Sequence, residues 1–175
     1  MILNHLPLPA IVIGAGLALA SPATAEPLRV ETHYAPRENL ERLDVELLGA
    51  ATRTIDIAAY VLTDVPVIDA LTAAGARGVR VRLYRDGGGR PARGAVAEAL
   101  ERLAAAPNVE QRRKPTRTFM HLKSYCIDGE RLRTGAANFT ASGLKRQEND
   151  LLLINGEGAC AGFAATFEQM WGRGR

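Results

Sequence analysis

Cysteine is nearly absent: Cys126 and Cys160 are the only two. Two thiols do not make the disulfide framework of a small stapled fold, so the chain has to rest on a hydrophobic core. The preferred reading is a pair of buried thiols, with a single bridge as the alternative. Aromatics are also few, at 5%, which leaves Ala, Val, Leu and Ile to build that core. There are only three histidines, and no His, Cys, Asp and Glu cluster has ligand spacing, so neither a metal nor a cofactor is expected. The run Gly87-Gly88-Gly89 fits neither the dinucleotide nor the P-loop spacing and reads as a plain loop. Internal repeats and low-complexity tracts are lacking as well.

Charge is missing from one place in particular. Residues 1–25 hold no Lys, Arg, Asp or Glu, and the apolar run from Ala10 to Ala20 is followed by Ser21-Pro22-Ala23-Thr24-Ala25. Small residues at the first and third positions of that last triplet fit a signal-peptidase site. The run is short for a bilayer span, which needs about 20 residues. The expectation is a cleaved leader over residues 1–25, a mature chain from Glu26, and a periplasmic or secreted location. The rest, 26–175, is the size of one domain.

What is present is a regular alternation. Arg29 to Tyr34 reads as a strand, Arg37 to Thr52 as a helix with Leu40, Leu43, Leu47 and Leu48 at helical spacing, and Thr54 to Leu62 as a buried strand. Asp64 is the expected N-cap of a helix ending near Gly75 or Gly78. A strand over Val79 to Tyr84 follows, then a helix opened by Pro91 and running to about Ala105, and a short strand from Val109 to Arg112. His121–Ile127 and Arg131–Thr134 read as a hairpin turned at Asp128-Gly129. A strand over Asp150–Ile154 and a helix over Glu157–Trp171, with Phe163, Phe167 and Trp171 on one face, close the chain. This order predicts one layered α/β/α domain, a mixed β-sheet flanked by helices.

Net charge is a modest +3, but the positives cluster. Arg112-Arg113-Lys114 and Arg117 precede His121 and make a candidate basic rim for a polyanion or an anionic lipid surface. The arginines between Arg77 and Arg85 read as solvated surface.

Within the hairpin, residues two apart share a face, so His121 and Lys123 point the same way while Leu122, Ser124 and Cys126 point the other. An unprotonated imidazole is a competent nucleophile toward phosphorus. An ammonium beside it neutralises charge on the non-bridging oxygens. Asn138, after the small-residue turn Gly135-Ala136-Ala137, is a further donor for those oxygens. Asp128, at the turn, fixes backbone rather than contacting substrate.

The pattern His121-x-Lys123-x4-Asp128, with Gly135-Ala136-Ala137-Asn138 six residues on, resembles the phospholipase D superfamily, in the manner of its single-motif bacterial endonucleases. Tyr34-Ala35-Pro36, the stretch from Ile55 to Tyr60, that from Arg77 to Val81, and Glu148-Asn149 extend the resemblance over nearly the whole mature chain. It implies the phospholipase D-like fold and a metal-independent phosphodiesterase. His121 would form a phosphohistidine, Lys123 and Asn138 would bind phosphate oxygens, and Glu148 would orient the histidine. Asp128 and Gly135 belong to the structural part of the motif. At position 136 the family usually has Ser where this chain has Ala136, so one hydroxyl able to touch phosphate is missing.

The reaction needs a second group to protonate the leaving oxygen. The mature chain has only His33 and His121, and His33, with no Lys beside it, reads as structural. The family pairs two such motifs across a pseudo-dyad, so with one motif per chain the resemblance implies a homodimer with both His121 side chains at the two-fold axis. A non-specific endonuclease on DNA or RNA is the leading expectation. A phospholipase D acting on phosphatidyl lipids is the alternative, with Phe119, Met120 and Leu122 as its only apolar hint. A catalytically weak nucleic-acid-binding module is the third reading.

Overall fold

The computed structural model of the chain describes residues 27–88, 91–115 and 118–175. The expected leader, Gly89 and Arg117 lie outside the described residues.

Seven strands form one sheet in the order β1-β7-β6-β5-β2-β3-β4. They are β1 (Arg29–Ala35), β2 (Thr54–Ala59), β3 (Arg80–Arg85), β4 (Val109–Arg113), β5 (Lys123–Ile127), β6 (Arg131–Thr134) and β7 (Asn149–Asn155). β2, β3 and β4 run parallel, and the other neighbours pair antiparallel. The parallel part comes from the alternating strand–helix units and the antiparallel part from the hairpin, as the order along the chain predicts. The helices are α1 (Leu40–Gly49), α2 (Val65–Ala76), α3 (Ala95–Ala105), α4 (Ala141–Lys145) and α5 (Ala161–Arg173).

β2 has apolar residues on both faces because both are covered. Ile55, Ile57 and Ala59 join Leu40, Leu47 and Leu48 of α1, Ile68 and Leu71 of α2, and Leu103 of α3 in the larger core. Ala58 faces the other way, with Tyr84, Met120, and Phe167 and Trp171 of α5. Helices thus lie on both faces, but unequally.

Several boundaries differ from the expectation for local reasons. α1 is shorter because Asn39 caps it, accepting from the Arg42 amide. β2 stops at Ala59, and Leu62 makes an isolated bridge to Phe139 instead. α3 starts at Ala95, not Pro91, because Gly94 stands at φ 55°, outside helical backbone. α5 runs over Ala161–Arg173 and not Glu157–Trp171. The five-residue α4, capped by the Thr140 hydroxyl, has no counterpart in the sequence reading. Asp64 caps α2 as expected.

Two larger corrections concern cysteine and arginine. Cys126 and Cys160 are not buried thiols but a disulfide, with Cα atoms 5.9 Å apart, tying β5 to the start of α5. The Arg77–Arg85 group is not simply solvated. Arg77 donates to the Leu48 and Gly49 carbonyls at the end of α1. Arg82 pairs with Asp56 and Glu168, each at 2.6 Å, with the rings of Phe167 and Trp171 about it.

Asp128 holds the hairpin as the sequence suggests. Asp128 and Gly129 both have positive φ, at 55° and 83°. The Asp128 carboxylate accepts from the amides of Thr52, Arg53 and Thr54 and from the Thr52 hydroxyl. Burial pushes its carboxyl up, but these donors outweigh burial and hold it at about 2. A depressed carboxyl stabilises the fold in full above the ordinary aspartate range, and that stabilisation is lost as pH falls toward 2. Asp128→Asn, which keeps shape but loses the charge-assisted bonds, is expected to lower stability by about 2–3 kcal/mol at neutral pH. Urea melts at pH 7 and pH 2 check this: the deficit should shrink markedly at the lower pH.

Candidate active site

The stretch before β5 is anchored at alternate residues. The Met120 amide donates to Asp86 Oδ1 at 2.7 Å, and the Leu122 carbonyl accepts from the Tyr60 amide at 2.8 Å. His121 lies between these two anchors, exposed, just outside the strand that the sequence reading placed it in. Lys123 is the first residue of β5, paired with Ala59.

His121 and Lys123 do meet. Lys123 Nζ lies 2.9 Å from His121 Nδ1 and 3.2 Å from Nε2, and it donates to the His121 carbonyl at 2.7 Å. The Tyr60 ring packs on the imidazole, with centroids 4.3 Å apart, and its face lies 5.0 Å from the ammonium. Sequence reading gave Tyr60 no role of its own, placing it within the strand from Thr54 to Leu62 and at the end of the family-like stretch from Ile55 to Tyr60. Lys123 is 6% exposed, and burial lowers its pKa from the ordinary 10.5. The arrangement is an open imidazole over a sheltered ammonium. It suits a group that has to meet an oxyanion at one nitrogen while charge is neutralised from below.

Asn138 follows a turn that Gly135 makes possible: Gly135 has φ 140°, and a Cβ there would come within 2.6 Å of the Asp150 carbonyl oxygen. The Ala136 amide is held by Asp150 Oδ1 at 2.8 Å. Asn138 Oδ1 is buried without a hydrogen-bond partner. Glu148 is exposed just ahead of β7. Among the described residues neither Asn138 nor Glu148 hydrogen-bonds the side chain of His121 or Lys123.

The basic segment divides. Arg112 stacks 4.6 Å over Trp171 and donates to its carbonyl, on the α5 side of the sheet. Arg113 pairs through its backbone with Arg175 and leaves its side chain exposed. Lys114 Nζ reaches the Phe119 carbonyl, at a long 3.4 Å. Phe119 is 68% exposed beside the site, Leu122 is partly exposed, and Met120 is buried. His33 is bound to Glu38 at 2.8 Å at the start of the chain's first turn.

A buried pair that sequence reading missed supports the site from beneath. Arg133 and Asp44 are both 0% exposed and meet through two bonds of 3.0 Å. Arg133 Nη1 also donates to the Lys123 carbonyl at 2.8 Å and the Ala137 carbonyl at 3.4 Å. One guanidinium thus ties the strand carrying Lys123 to the turn carrying Asn138.

The lowered Lys123 pKa has a kinetic consequence. If the ammonium is what turnover needs, activity falls as pH rises through its pKa, earlier than for an ordinary lysine. Lys123→Arg, which stays charged, is expected to keep part of the activity and lose that alkaline limb, and Lys123→Met to lose about 10²–10³-fold. A pH profile of kcat checks both.

A sheet of this topology with a His-x-Lys pair at the end of its parallel strands defines a class. Residues 45–171 match the family model described as cardiolipin synthase, PLD-like domain, and the chain belongs to the phospholipase D superfamily. Among solved structures it is similar to Nuc, a phospholipase D family member from Salmonella typhimurium. The TM-score is 0.77 and the identity 25%, over 85% of this chain and 97% of that one. NucT from Helicobacter pylori shares the fold, with TM-score 0.74 and 16% identity over 85% and 98% of the two chains. Among curated proteins it is 27% identical to a mitochondrial cardiolipin hydrolase from Chlamydomonas reinhardtii, over 73% of this chain and 55% of that protein. It is also 27% identical to a phospholipase D from Rickettsia conorii, over 72% and 61%. The chain thus spans somewhat more than half the length of these two curated relatives.

Proposed function

We propose that the protein is a phosphodiesterase that cuts nucleic acid through a phosphohistidine. The observation that carries this is the ammonium of Lys123 set 2.9 Å from the imidazole of His121. A neutral imidazole nitrogen attacks phosphorus, the bond to the leaving oxygen breaks, and that oxygen takes a proton. Water then attacks the phosphohistidine, the P–N bond breaks, and the acid regenerates by taking the water proton. Lys123 stabilises the developing charge, and the Asn138 side-chain N–H is a further donor, carried on the turn after β6.

The proton donor is His121 of a second copy, so the working enzyme is a homodimer about a two-fold axis. Glu148 supports this reading. It is exposed and makes no hydrogen bond to its own His121 among the described residues, which leaves it available to orient an imidazole across the dyad. Export is supported by the Cys126–Cys160 bridge, which fits an oxidising compartment.

Nucleic acid is the favoured substrate because Arg85 and Arg113 stand in one register row with Lys123, at the end of the sheet that holds His121. Exposed Phe119 and Leu122 favour a phosphatidyl lipid as the second reading. The test is turnover of plasmid DNA, RNA and phosphatidylcholine or cardiolipin vesicles in EDTA, with His121→Ala as control. Cleavage of DNA or RNA in EDTA by a protein that runs as a dimer on gel filtration is the expected result. Turnover of vesicles alone establishes the second reading, and a divalent-ion requirement or a fully active monomer overturns the mechanism.

A further inference from the structure

β2, β3, β4 and β5 bring four residues into one register row at the end of the sheet that holds His121. Lys123 pairs with Ala59, Ala59 with Arg85, and Arg85 with Arg113. Register partners on adjacent strands point to the same face, and strands lie about 4.8 Å apart. Three cations therefore leave the sheet on one side. Their backbone distances from Lys123 are roughly 10 Å for Arg85 and roughly 15 Å for Arg113, from that strand spacing. The gap between Lys123 and Arg85 is kept open by the single methyl of Ala59.

The row opens into a cavity of about 650 Å³ between the sheet and α3, bounded by Tyr60, Arg85, Leu100, Glu101, Gln111 and Arg113 among others. Tyr60, whose ring packs on His121, also lines the cavity, so the cavity borders the catalytic corner. Gln111 is two residues before Arg113 on β4 and shares its face. Two donors at this cavity, Arg85 Nε and Gln111 Nε2, are buried without a hydrogen-bond partner. Arg85 makes no ion pair among the described residues. Burial, with the neighbouring charge of Arg113, lowers its guanidinium to about 10. Of the acids at the cavity, Asp86 already accepts from the Met120 and Gly88 amides, while Glu101 is exposed on α3. A half-buried guanidinium with an unmet donor, beside a second unmet donor on Gln111 and a second cation on Arg113 and with no paired acid among the described residues, is a poor way to stabilise a fold. Together these groups are a ready receptor for an anion.

We propose that Arg85, Arg113 and Gln111 form a second phosphate subsite, which takes a neighbouring phosphate of the polynucleotide whose scissile phosphate lies on His121 and Lys123. This rests on the nuclease reading above and deepens it: the substrate is a chain with phosphates in series, not an isolated diester. A nucleic acid presents such a series, and each phosphate that a cation neutralises adds to the salt dependence of binding.

The test uses the full chain, with three probes: a labelled single-stranded oligonucleotide, bis(p-nitrophenyl) phosphate, and cardiolipin vesicles. In Arg85→Met/Arg113→Met, the ratio of kcat/KM on the oligonucleotide to that on the small diester is expected to fall about 30-fold. Measured in a His121→Ala background, the slope of log affinity against log salt should become shallower by about 0.7 for each phosphate that the variant no longer neutralises. Gln111→Leu should lower the ratio several-fold, and Glu101→Gln should raise it. Because Arg85 Nε has no partner in the fold, Arg85→Met alone is expected to melt no lower than the parent, which separates the subsite from a structural role. An unchanged ratio and salt slope overturn the proposal while leaving the nuclease reading standing. So does a loss confined to vesicle turnover. A parent enzyme that cleaves the small diester or vesicles but no oligonucleotide shows instead that the nuclease reading has failed, and the subsite proposal falls with it.

Discussion

His121→Ala is expected to lower turnover of every phosphodiester substrate by about 10⁴-fold or more, with the fold intact. The size follows from the role. Removing a covalent nucleophile forfeits a whole reaction path, and such losses reach on the order of 10⁶ in kcat. In the proposed dimer, where His121 of one copy attacks and His121 of the other donates the proton, the substitution removes both groups from the shared site at once. Structure predicts little collateral damage. His121 is exposed, its side chain meets Lys123 and Tyr60 at the surface, and its backbone is held by the flanking Met120 and Leu122 anchors. Melting temperature should therefore stay within a few degrees of the parent. The proposed dimer makes a sharper version possible. Mixing His121→Ala protein with protein inactivated at another position, such as Lys123→Met, tests whether a site needs one histidine from each chain. Single-turnover trapping of a phosphorylated protein by acid quench checks the covalent step, with His121→Ala giving none. Trapping at equal yield in His121→Ala moves the nucleophile elsewhere.

Much of this was legible because neighbours in sequence carried it. Alternating apolar runs gave the strand and helix order. Asp64 and the Asp128-Gly129 turn are local signals, since a cap and a positive-φ turn each involve residues a few places apart. The His121 and Lys123 pair was legible for the same reason, although β5 begins at Lys123 and the alternation that predicted a shared face strictly applies only from there. What was hidden is long-range. The Cys126–Cys160 bridge spans 34 residues of sequence, and no spacing rule joins two lone cysteines. Asp44 lies in a helix rich in charge, where it reads as one more surface acid. Its burial comes from Tyr125 and Arg133, 81 and 89 residues away. Arg85 was hidden by its company: Arg80 and Arg82, two residues apart on β3, suggest a solvated strand, yet Arg85 falls on the opposite face, with Val81 and Leu83, at the cavity beside α3. The resemblance to a family led to Glu148, which no local pattern marks.

The second large effect is in the core. Asp44→Leu or Arg133→Met alone is expected to cost about 3–5 kcal/mol, because each strands a charge in a fully buried place. For a domain of this size that is a fall of roughly 10 °C or more in Tm. Burial pushes the Asp44 carboxyl up, and Arg133 and the Tyr125 hydroxyl pull it back down, so the charged form depends on its partners. The double variant Asp44→Leu/Arg133→Met removes both charges and leaves volume of similar size, so most of the stability should return. Activity should not return with it. Arg133 Nη1 is the donor that joins the Lys123 carbonyl to the Ala137 carbonyl, and methionine offers nothing in its place. The double variant is therefore expected to fold and yet turn over several-fold more slowly than the parent, with the loss in kcat rather than KM, because the slack falls between Lys123 and the turn bearing Asn138. Chemical melts read beside steady-state kinetics decide it. Stability and kcat recovering together in the double variant reduces the pair to packing. Stability recovering alone makes Arg133 a positioning residue for the phosphate-binding side chains.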